Sequence, residues 1–531
     1  MSNQSEAPVL NRAGRYPGRW AIESPDKLAT VDATTGEQQT FAELNDRSNQ
    51  LAQLMFAQGL RRGDHCAILM ENNVRYFEVV WAAFRSGLYI TTVNHHLSDE
   101  EAAYIINDSG CRVLIASRDL VQDEKKMLSA CPVVERWLML GDAQEPFESY
   151  EDALSAHPAQ PLGQEPSGGF MLYSSGTTGK PKGIVRDLPK YGIADAASEL
   201  GGLQSMLWGF DDETVYLSPA PLYHSAPVGF STATQANGGT VVILSRFDEV
   251  SALKAIEDYR VTHSQWVPTM FTRMLKLPED IRYRYDFSSH KVAIHAAAPC
   301  PKATKQKMFD WWGPIIYEFY AGTEANGLTH VSPDAWLEKP GTVGKPVFGV
   351  VHICDDDGEE LSVGEPGLIY FELPQSSFRY HEDDEKTQST QHPKHANWTA
   401  LGDVGYLDED GYLFLTDRAT FMIISGGVNI YPQEVEDAIV QHPHVQDVAV
   451  IGVPHEEMGE EVRAVVQLVA GIKPSKDIEE EIVAFSRKFI AHYKCPRQID
   501  FEAQLPRLPT GKLYKRILKD KYWGKEGSRI V

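Results

Sequence analysis

From about residue 40 onward, apolar positions recur by turns at helical spacing and in short continuous runs. FAELNDRSNQLAQLMFAQGL (41–60) carries them at helical spacing and ends at a glycine, which predicts a helix. HCAILM (65–70) is a short apolar run of the kind a buried strand makes. NNVRYFEVVWAAFRSG then reads as a helix and CRVLIAS (111–117) as a strand. The rhythm returns at TVVILS (240–245), at a helix near 249–259, and at VTHSQWV (261–267). KVAIHAAA (291–298) is a strand running into a corner of small residues. Strand and helix in alternation predict an α/β fold with parallel sheet covered by helices on both faces.

The pattern changes after residue 400. LGDVGYLDEDGYLFLTDRATFMIISGG (401–427) reads as short strands and tight turns, with an Asp-Gly step at 410–411. After it come a helix (PQEVEDAIVQHP), two strands (VQDVAVIGV and EVRAVVQLVA) and a helix (KDIEEEIVAFSRKFI). That is enough for a compact α+β domain of about a hundred residues. The boundary is expected near Asp417–Ala419, giving domains 1–417 and 418–531. The polar stretch HEDDEKTQSTQHPKHAN (381–397) is expected to be an exposed loop without assigned chemistry. No internal repeat or low-complexity tract is found.

Composition narrows the function classes. At 531 residues the chain needs more than one core, and its 42% hydrophobic and 23% charged residues are ordinary for a globular protein. A formal charge of -24 argues against nucleic acid as a partner, so any phosphate must meet a local cationic or backbone-amide site. Cys66, Cys111, Cys131, Cys300, Cys354 and Cys495 are scattered without CxxC spacing, which suggests reduced thiols in a cytoplasmic protein. The polar N-terminus has no signal-peptide core, no apolar run reaches ~18 residues, and GSRIV at the C-terminus is no lipidation signal. A membrane segment is therefore not expected.

The chemistry concentrates in MLYSSGTTGKPKGIV (171–185). A strand-like run leads into Ser174, Ser175, Gly176, Thr177, Thr178, Gly179, Lys180, Pro181, Lys182 and Gly183. Glycines let backbone amides approach an anion, hydroxyls donate to phosphate oxygens, and Lys182 can supply a point charge. The spacing is not that of the Walker loop. YSSGTTGKPKG resembles the signature loop of the adenylate-forming superfamily, which includes acyl-CoA synthetases, peptide-synthetase adenylation domains and beetle luciferases. Similar segments extend from about residue 25 to residue 516. The resemblance implies a large N-terminal domain of several sheets and a small, mobile α+β C-terminal domain.

It also implies roles for particular residues. PLYHSAPVG (221–229) is similar to the family segment beside the acyl site, so His224 would lie near the substrate carboxylate. In isolation, a histidine in an apolar stretch is more often a packed core residue. HAAAPCP (295–301) resembles the corner that lies along adenine; Ala296, Ala297 and Ala298 stand where the family often has glycines, which predicts a narrower acyl tunnel. In YAGTEANG (320–327), Tyr320 would stack near adenine beside Gly322, Thr323 would meet phosphate oxygens, and Glu324 would hold magnesium through oxygen. Asp403 in LGDVGYLDEDGY would accept from the ribose hydroxyls, with Arg418 near ribose and phosphate at the hinge. Thr420 and Phe421 depart from the charged residues common in the family, which leaves the hinge chemistry open. Gly426 and Gly427 of ISGGVNIYPQEVE would leave room for the pantetheine arm of coenzyme A. Lys512 of LPRLPTGKLYKR would stabilise charge gathering at the α-phosphate.

The expected activity is adenylation of a carboxylic acid with MgATP, followed by transfer of the acyl group to coenzyme A. The pocket walls expected are His224, Val228, Phe230, Trp266, His295 and Ala297; they suit a hydrophobic monocarboxylic acid that is medium-chain, branched or ring-bearing. The alternatives are an enzyme that loads an acyl carrier protein, a luciferase-like oxidation for which nothing in the chain argues, and a catalytically silent nucleotide-binding homologue. Partners are the acid, ATP and coenzyme A; oligomeric state and pathway are not legible.

Overall fold

A computed structural model describes residues 15–121, 123–174, 181–418, 421–425, 428–455, 458–507 and 513–523. The chain separates into two compact units. One comprises Met1–Trp266, Leu277–Ala293 and Ser377–Asp384; the other comprises Val267–Lys276, Ile294–Ser376 and Glu385–Val531.

In the first unit a six-stranded sheet runs Glu148–Ser149, Arg136–Leu140, Cys111–Ser117, His65–Leu69, Tyr89–Thr92, Gly169–Phe170. Every neighbouring pair is parallel, as the alternating pattern predicts. The helices that cover it begin where the sequence provides caps. Thr40 accepts from the Glu43 amide while the Glu43 carboxylate accepts from the Thr40 amide, which starts Phe41–Ala57; Ser98 and Glu101 do the same for Asp99–Asp108. Apolar side chains of the second helix, including Ala102, Ile105 and Ile106, pack on Ala67, Leu114 and Ala116 of the sheet. In a second set of strands His263–Trp266, Val215–Ser218, Thr240–Ile243 and Leu28–Asp32 are parallel neighbours, and Gln38–Thr40 is antiparallel at the edge. A small antiparallel sheet joins Leu172–Ser174, Lys182–Val185 and Arg379–Tyr380.

The second unit is mostly antiparallel. Ile316–Ala321, Leu328–Val331 and Lys345–Phe348 form one meander. Val350–Cys354, Gly367–Glu372, Trp398–Leu407 and Leu413–Arg418 form a four-stranded sheet. Its last turn uses the expected Asp-Gly step: Gly411 has φ +79°, and Asp408 Oδ1 accepts from the Asp410 and Tyr412 amides. Further along, Val445–His455 and Gly459–Leu468 pair over eleven residues of the first strand, with Gln498–Phe501 parallel at the side. Helices Pro432–Ile439 and Lys476–Ser486 complete this core through Val435, Ile439 and Ile482.

The stretch 381–397 departs from the expected exposed loop. Asp384–Gln388 is a short helix, and Thr390 and His392 are buried. His392 Nε2 lies 2.9 Å from the Gly358 carbonyl, and its ring packs edge-on against Tyr370 and Trp398. Polar sequence here conceals a histidine whose hydrogen bond satisfies it inside the fold.

The loop between Ile316–Ala321 and Leu328–Val331 is seated by close contact. A Cβ at Gly327 would fall 1.9 Å from Phe371 Cδ1, so only glycine allows this approach. Gly327→Ala is expected to lower the stability of this unit by about 1–3 kcal/mol, as overpacking does. Thermal denaturation checks it; an unchanged melting profile would show that the loop does not rest on Phe371.

Candidate functional site

The site residues are positioned by strand ends. In the first unit, Ser174 closes one strand and Lys182 opens the next, and the two are cross-strand partners. The glycine- and threonine-rich segment therefore joins the ends of an antiparallel pair. Ser175, Gly176, Thr177, Thr178 and Gly179 lie outside the described residues, as do Gly426, Gly427 and Lys512; of Arg418 only the backbone is described. The pair is anchored by Tyr173, whose hydroxyl donates to Asp108 Oδ2 at 2.6 Å, and by Tyr104, whose hydroxyl donates to the Pro181 carbonyl at 3.3 Å. Lys182 Nζ donates to Asp383, which raises the lysine above its ordinary pKa and keeps it cationic.

His224 sits one residue before the helix Ser225–Ala236 and accepts from the Val228 amide through its carbonyl at 3.1 Å. Two polar side chains that sequence reasoning missed fix the segment leading to it. Asn72, buried, donates to the carbonyls of Ala220 and Leu244 and accepts from the Leu222 amide at 2.8 Å. Thr92 donates to the Tyr223 carbonyl at 2.9 Å. Around Tyr223 gather the rings of His224 (4.2 Å between centroids), His95 (5.2 Å) and His96 (6.3 Å). Burial, and then the neighbouring His96, pull His95 down to about 4, so it is neutral at physiological pH. The paired histidines in VNHHLS were the signal available in the sequence.

The helix that follows has two faces. Val228 and Phe230 are buried, Phe230 among the rings of Trp208, Phe210 and Tyr216. Trp266 is buried too, donating to Ser264 Oγ, which in turn lies 2.7 Å from His290 Nε2. Ser225 and Gly229, one helical turn apart, are less buried, and a Cβ at Gly229 would meet nothing within 4 Å. That open face was not singled out from the sequence.

In the second unit the structure brings several expected residues together. The Tyr320 hydroxyl donates to Asp403 Oδ2 at 2.7 Å. Asp403 is the cross-strand partner of Arg418. Ala321 pairs with Leu328, so Gly322, Thr323, Glu324, Ala325, Asn326 and Gly327 are the connecting loop. Within it the Ala325 amide donates to the Gly322 carbonyl, and Asn326 Nδ2 donates to the Thr399 carbonyl at 3.1 Å. Glu324 is buried, and a Cβ at Gly322 would lie 2.2 Å from Leu401 Cδ1 and 3.0 Å from Glu324 Oε2. The missing side chain at 322 is thus what lets Leu401 come close, with the Glu324 carboxylate in tight contact beside it. A buried carboxylate with a hydroxyl residue beside it is a hard oxygen donor set, which fits magnesium.

Ala296, Ala297 and Ala298 follow the strand Val292–His295. Ala297 is exposed and has φ +75°, a left-handed conformation that an L-residue adopts only under constraint. His295 is fully buried; its Nε2 lies 3.3 Å from Glu318 Oε2 and its ring meets Phe271 edge-on.

Among the described residues, His442, His444 and Glu481 are the group whose ligand atoms come close enough to share an ion, within 4.8 Å. His442 Nδ1 accepts from the His444 amide at 3.2 Å, so its proton stays on Nε2, 3.4 Å from Glu481 Oε1. The cluster is a histidine–carboxylate pair. No helix among the described residues is long and apolar enough to cross a membrane.

Comparison with known proteins shows the family and the fold. Residues 18–381 match the model of the AMP-binding enzyme family, and residues 434–512 match that of the AMP-binding enzyme C-terminal domain. The chain is 30% identical over 513 residues to the long-chain-fatty-acid–CoA ligase FadD13 of Mycobacterium tuberculosis, covering 94% of this chain and 97% of that protein. It is 30% identical to the fatty acid–[acyl-carrier-protein] ligase ScoC of Streptomyces coeruleorubidus, covering 93% and 94%. The anthranilate CoA ligase AuaEII, solved in complex with anthranoyl-AMP, shares the fold with a TM-score of 0.84 at 24% identity, over 98% of both chains. The chain therefore belongs to the AMP-binding enzyme family, within the adenylate-forming superfamily that YSSGTTGKPKG resembles.

Proposed function

We propose that this protein is an AMP-forming ligase that adenylates a hydrophobic monocarboxylic acid and passes the acyl group to coenzyme A. The observation that carries the reading is the group formed by Tyr320, hydrogen-bonded to Asp403, and the following loop with Gly322 and the buried Glu324 carboxylate. In the first half-reaction the ionised carboxylate attacks the α-phosphorus of ATP, and pyrophosphate leaves. No general base is required, because the nucleophile is already deprotonated near neutral pH. In the second, the coenzyme A thiolate attacks the acyl carbonyl, and AMP leaves with one oxygen of the original carboxylate.

Asp403 would accept from the ribose hydroxyls while Tyr320 fixes its orientation. Magnesium, held through Glu324 beside Thr323, would neutralise part of the triphosphate charge. The segment 174–182 and Lys512 would supply amide, hydroxyl and ammonium donors to the phosphates. The acyl chain is read beside His224, along the open face of Ser225 and Gly229. The lack of a lysine or arginine among the residues read as lining it suits one carboxylate and no second charge. The domain boundary at 417–418 is part of the same reading: the small domain would exchange Lys512 for the segment of Gly426 and Gly427 between half-reactions, in the cytoplasm. ScoC, a carrier-protein ligase, favours a second reading in which the acceptor is an acyl carrier protein.

The test is AMP release over a panel of acids (short, medium and long chain, aryl, and ring-bearing), with and without coenzyme A. One class of acid should give AMP and thioester in equal amounts. AMP or pyrophosphate without thioester would move the acceptor to a carrier protein, and no turnover with any acid would count against the ligase.

Lys512→Ala is expected to lower ATP–pyrophosphate exchange by about 10²–10³-fold or more while sparing thioester formation from supplied acyl-AMP. Equal loss of both half-reactions would remove the lysine from a role in adenylation alone. Asp403→Ala is expected to weaken ATP binding by about tenfold or more, the scale of a charge-assisted hydrogen bond. Titration calorimetry reads it, and unchanged affinity would take Asp403 out of the ribose site.

A further inference from the structure

The corner 296–301 is flanked at both ends by residues packed on one buried carboxylate. The chain comes into it through His295, whose Nε2 lies 3.3 Å from Glu318 Oε2. It leaves through Pro301 into the helix Lys302–Trp312, whose Lys305 donates from Nζ to the same Glu318 oxygen at 2.6 Å. The Lys305 amide also donates to the Pro301 carbonyl at 3.0 Å, so the lysine and the end of the corner move as one piece. All three side chains are buried. The Lys305 ammonium lies 4.8 Å from the centre of the Trp336 ring, and Phe271 packs edge-on against both His295 and Trp312.

A buried ion pair is a poor way to gain stability, because an apolar trio of similar volume packs as well or better. Its value lies in geometry. Between the two flanks stands Ala297 at φ +75°, a conformation that persists only where the surroundings over-determine it. Glu318 lies two residues before Tyr320 on the strand Ile316–Ala321, and Tyr320 bonds to Asp403. The same carboxylate therefore sets the corner relative to the Tyr320–Asp403 pair.

We infer that His295, Glu318 and Lys305 form a positioning network that holds Ala297 in its left-handed conformation and so shapes the edge of the nucleotide site. The inference rests on the reading of 296–298 as the adenine-facing corner. The charge states suit a fixed clamp. Burial alone would raise Glu318, but His295 and Lys305 overcome it and hold the carboxyl at about 2. Burial pushes His295 down, against the opposing pull of Glu318, so the Lys305 ammonium is the lasting cation of the trio.

The test uses full-length Glu318→Gln and, because that change leaves Lys305 buried without its partner charge, also the double variant Lys305→Met/Glu318→Gln. Each is assayed by ATP–pyrophosphate exchange and by direct titration with ATP. Both are expected to raise the KM and Kd for ATP about tenfold or more, with kcat and the KM for the acid changing less. Adding Ala297→Gly to either should restore much of the ATP affinity, since glycine takes φ +75° without being held. Unchanged ATP affinity in the folded double variant would overturn the network. So would a failure of Ala297→Gly to restore it, or a fall in kcat with a parallel rise in every KM, the mark of a merely structural role. If the unaltered protein binds ATP but gives no exchange with any acid, the ligase reading fails instead, and the titrations still decide the network.

Discussion

Tyr320 and Asp403 stand 83 residues apart, and the 2.7 Å hydrogen bond between them joins the end of one strand to the middle of another. Without it, each strand would carry a solvated polar residue of no particular consequence. With it, the loop of Gly322 to Gly327 and the pair Asp403–Arg418 are held in one frame. Close approach does the rest: glycine at 322 leaves space for Leu401, and glycine at 327 lets the loop lie on Phe371. The geometry is set by contacts that tolerate no added methyl, so it does not depend on the long-range field of the protein.

That independence matters because the field is unfavourable. A chain with a formal charge of -24 has to meet a nucleotide locally. Some of its cations are already committed to its own carboxylates. Asp383 holds Lys182, and Glu318 holds Lys305. A cation shared with a carboxylate is a weaker attractor for phosphate than a bare one. This places more weight on backbone amides and on magnesium, which fits a loop rich in glycine and hydroxyl residues.

Much of this was legible from residue order. CRVLIAS became the strand Cys111–Ser117, and the capping residues Thr40 and Ser98 start the helices that cover the parallel sheet. These are local signals, carried by spacing and by a side chain bonding to an amide three residues on. The Asp-Gly turn before Leu413–Arg418 is of the same kind. What sequence could not show is which face of an element meets what. Val228 is buried and Phe230 packs among aromatic side chains, while Gly229 on the same helix meets open space. Apolar character alone ranked them in the opposite order. Asn72 was invisible because its three partners, Ala220, Leu222 and Leu244, lie at least 148 residues away. Glu318 and Lys305 were hidden for the same reason as His392, since charged and polar letters read as surface until their partners are in place, and His295 was expected in the acyl pocket wall instead.

The central claim is that the carboxylate attacks the α-phosphorus, and isotope transfer tests it most directly. With an acid labelled by ¹⁸O in its carboxylate, ATP and coenzyme A, adenylation followed by thiol transfer leaves one labelled oxygen in AMP and none in pyrophosphate. Label in inorganic phosphate, with ADP as the nucleotide product, would show attack at the γ-phosphorus and would contradict the account.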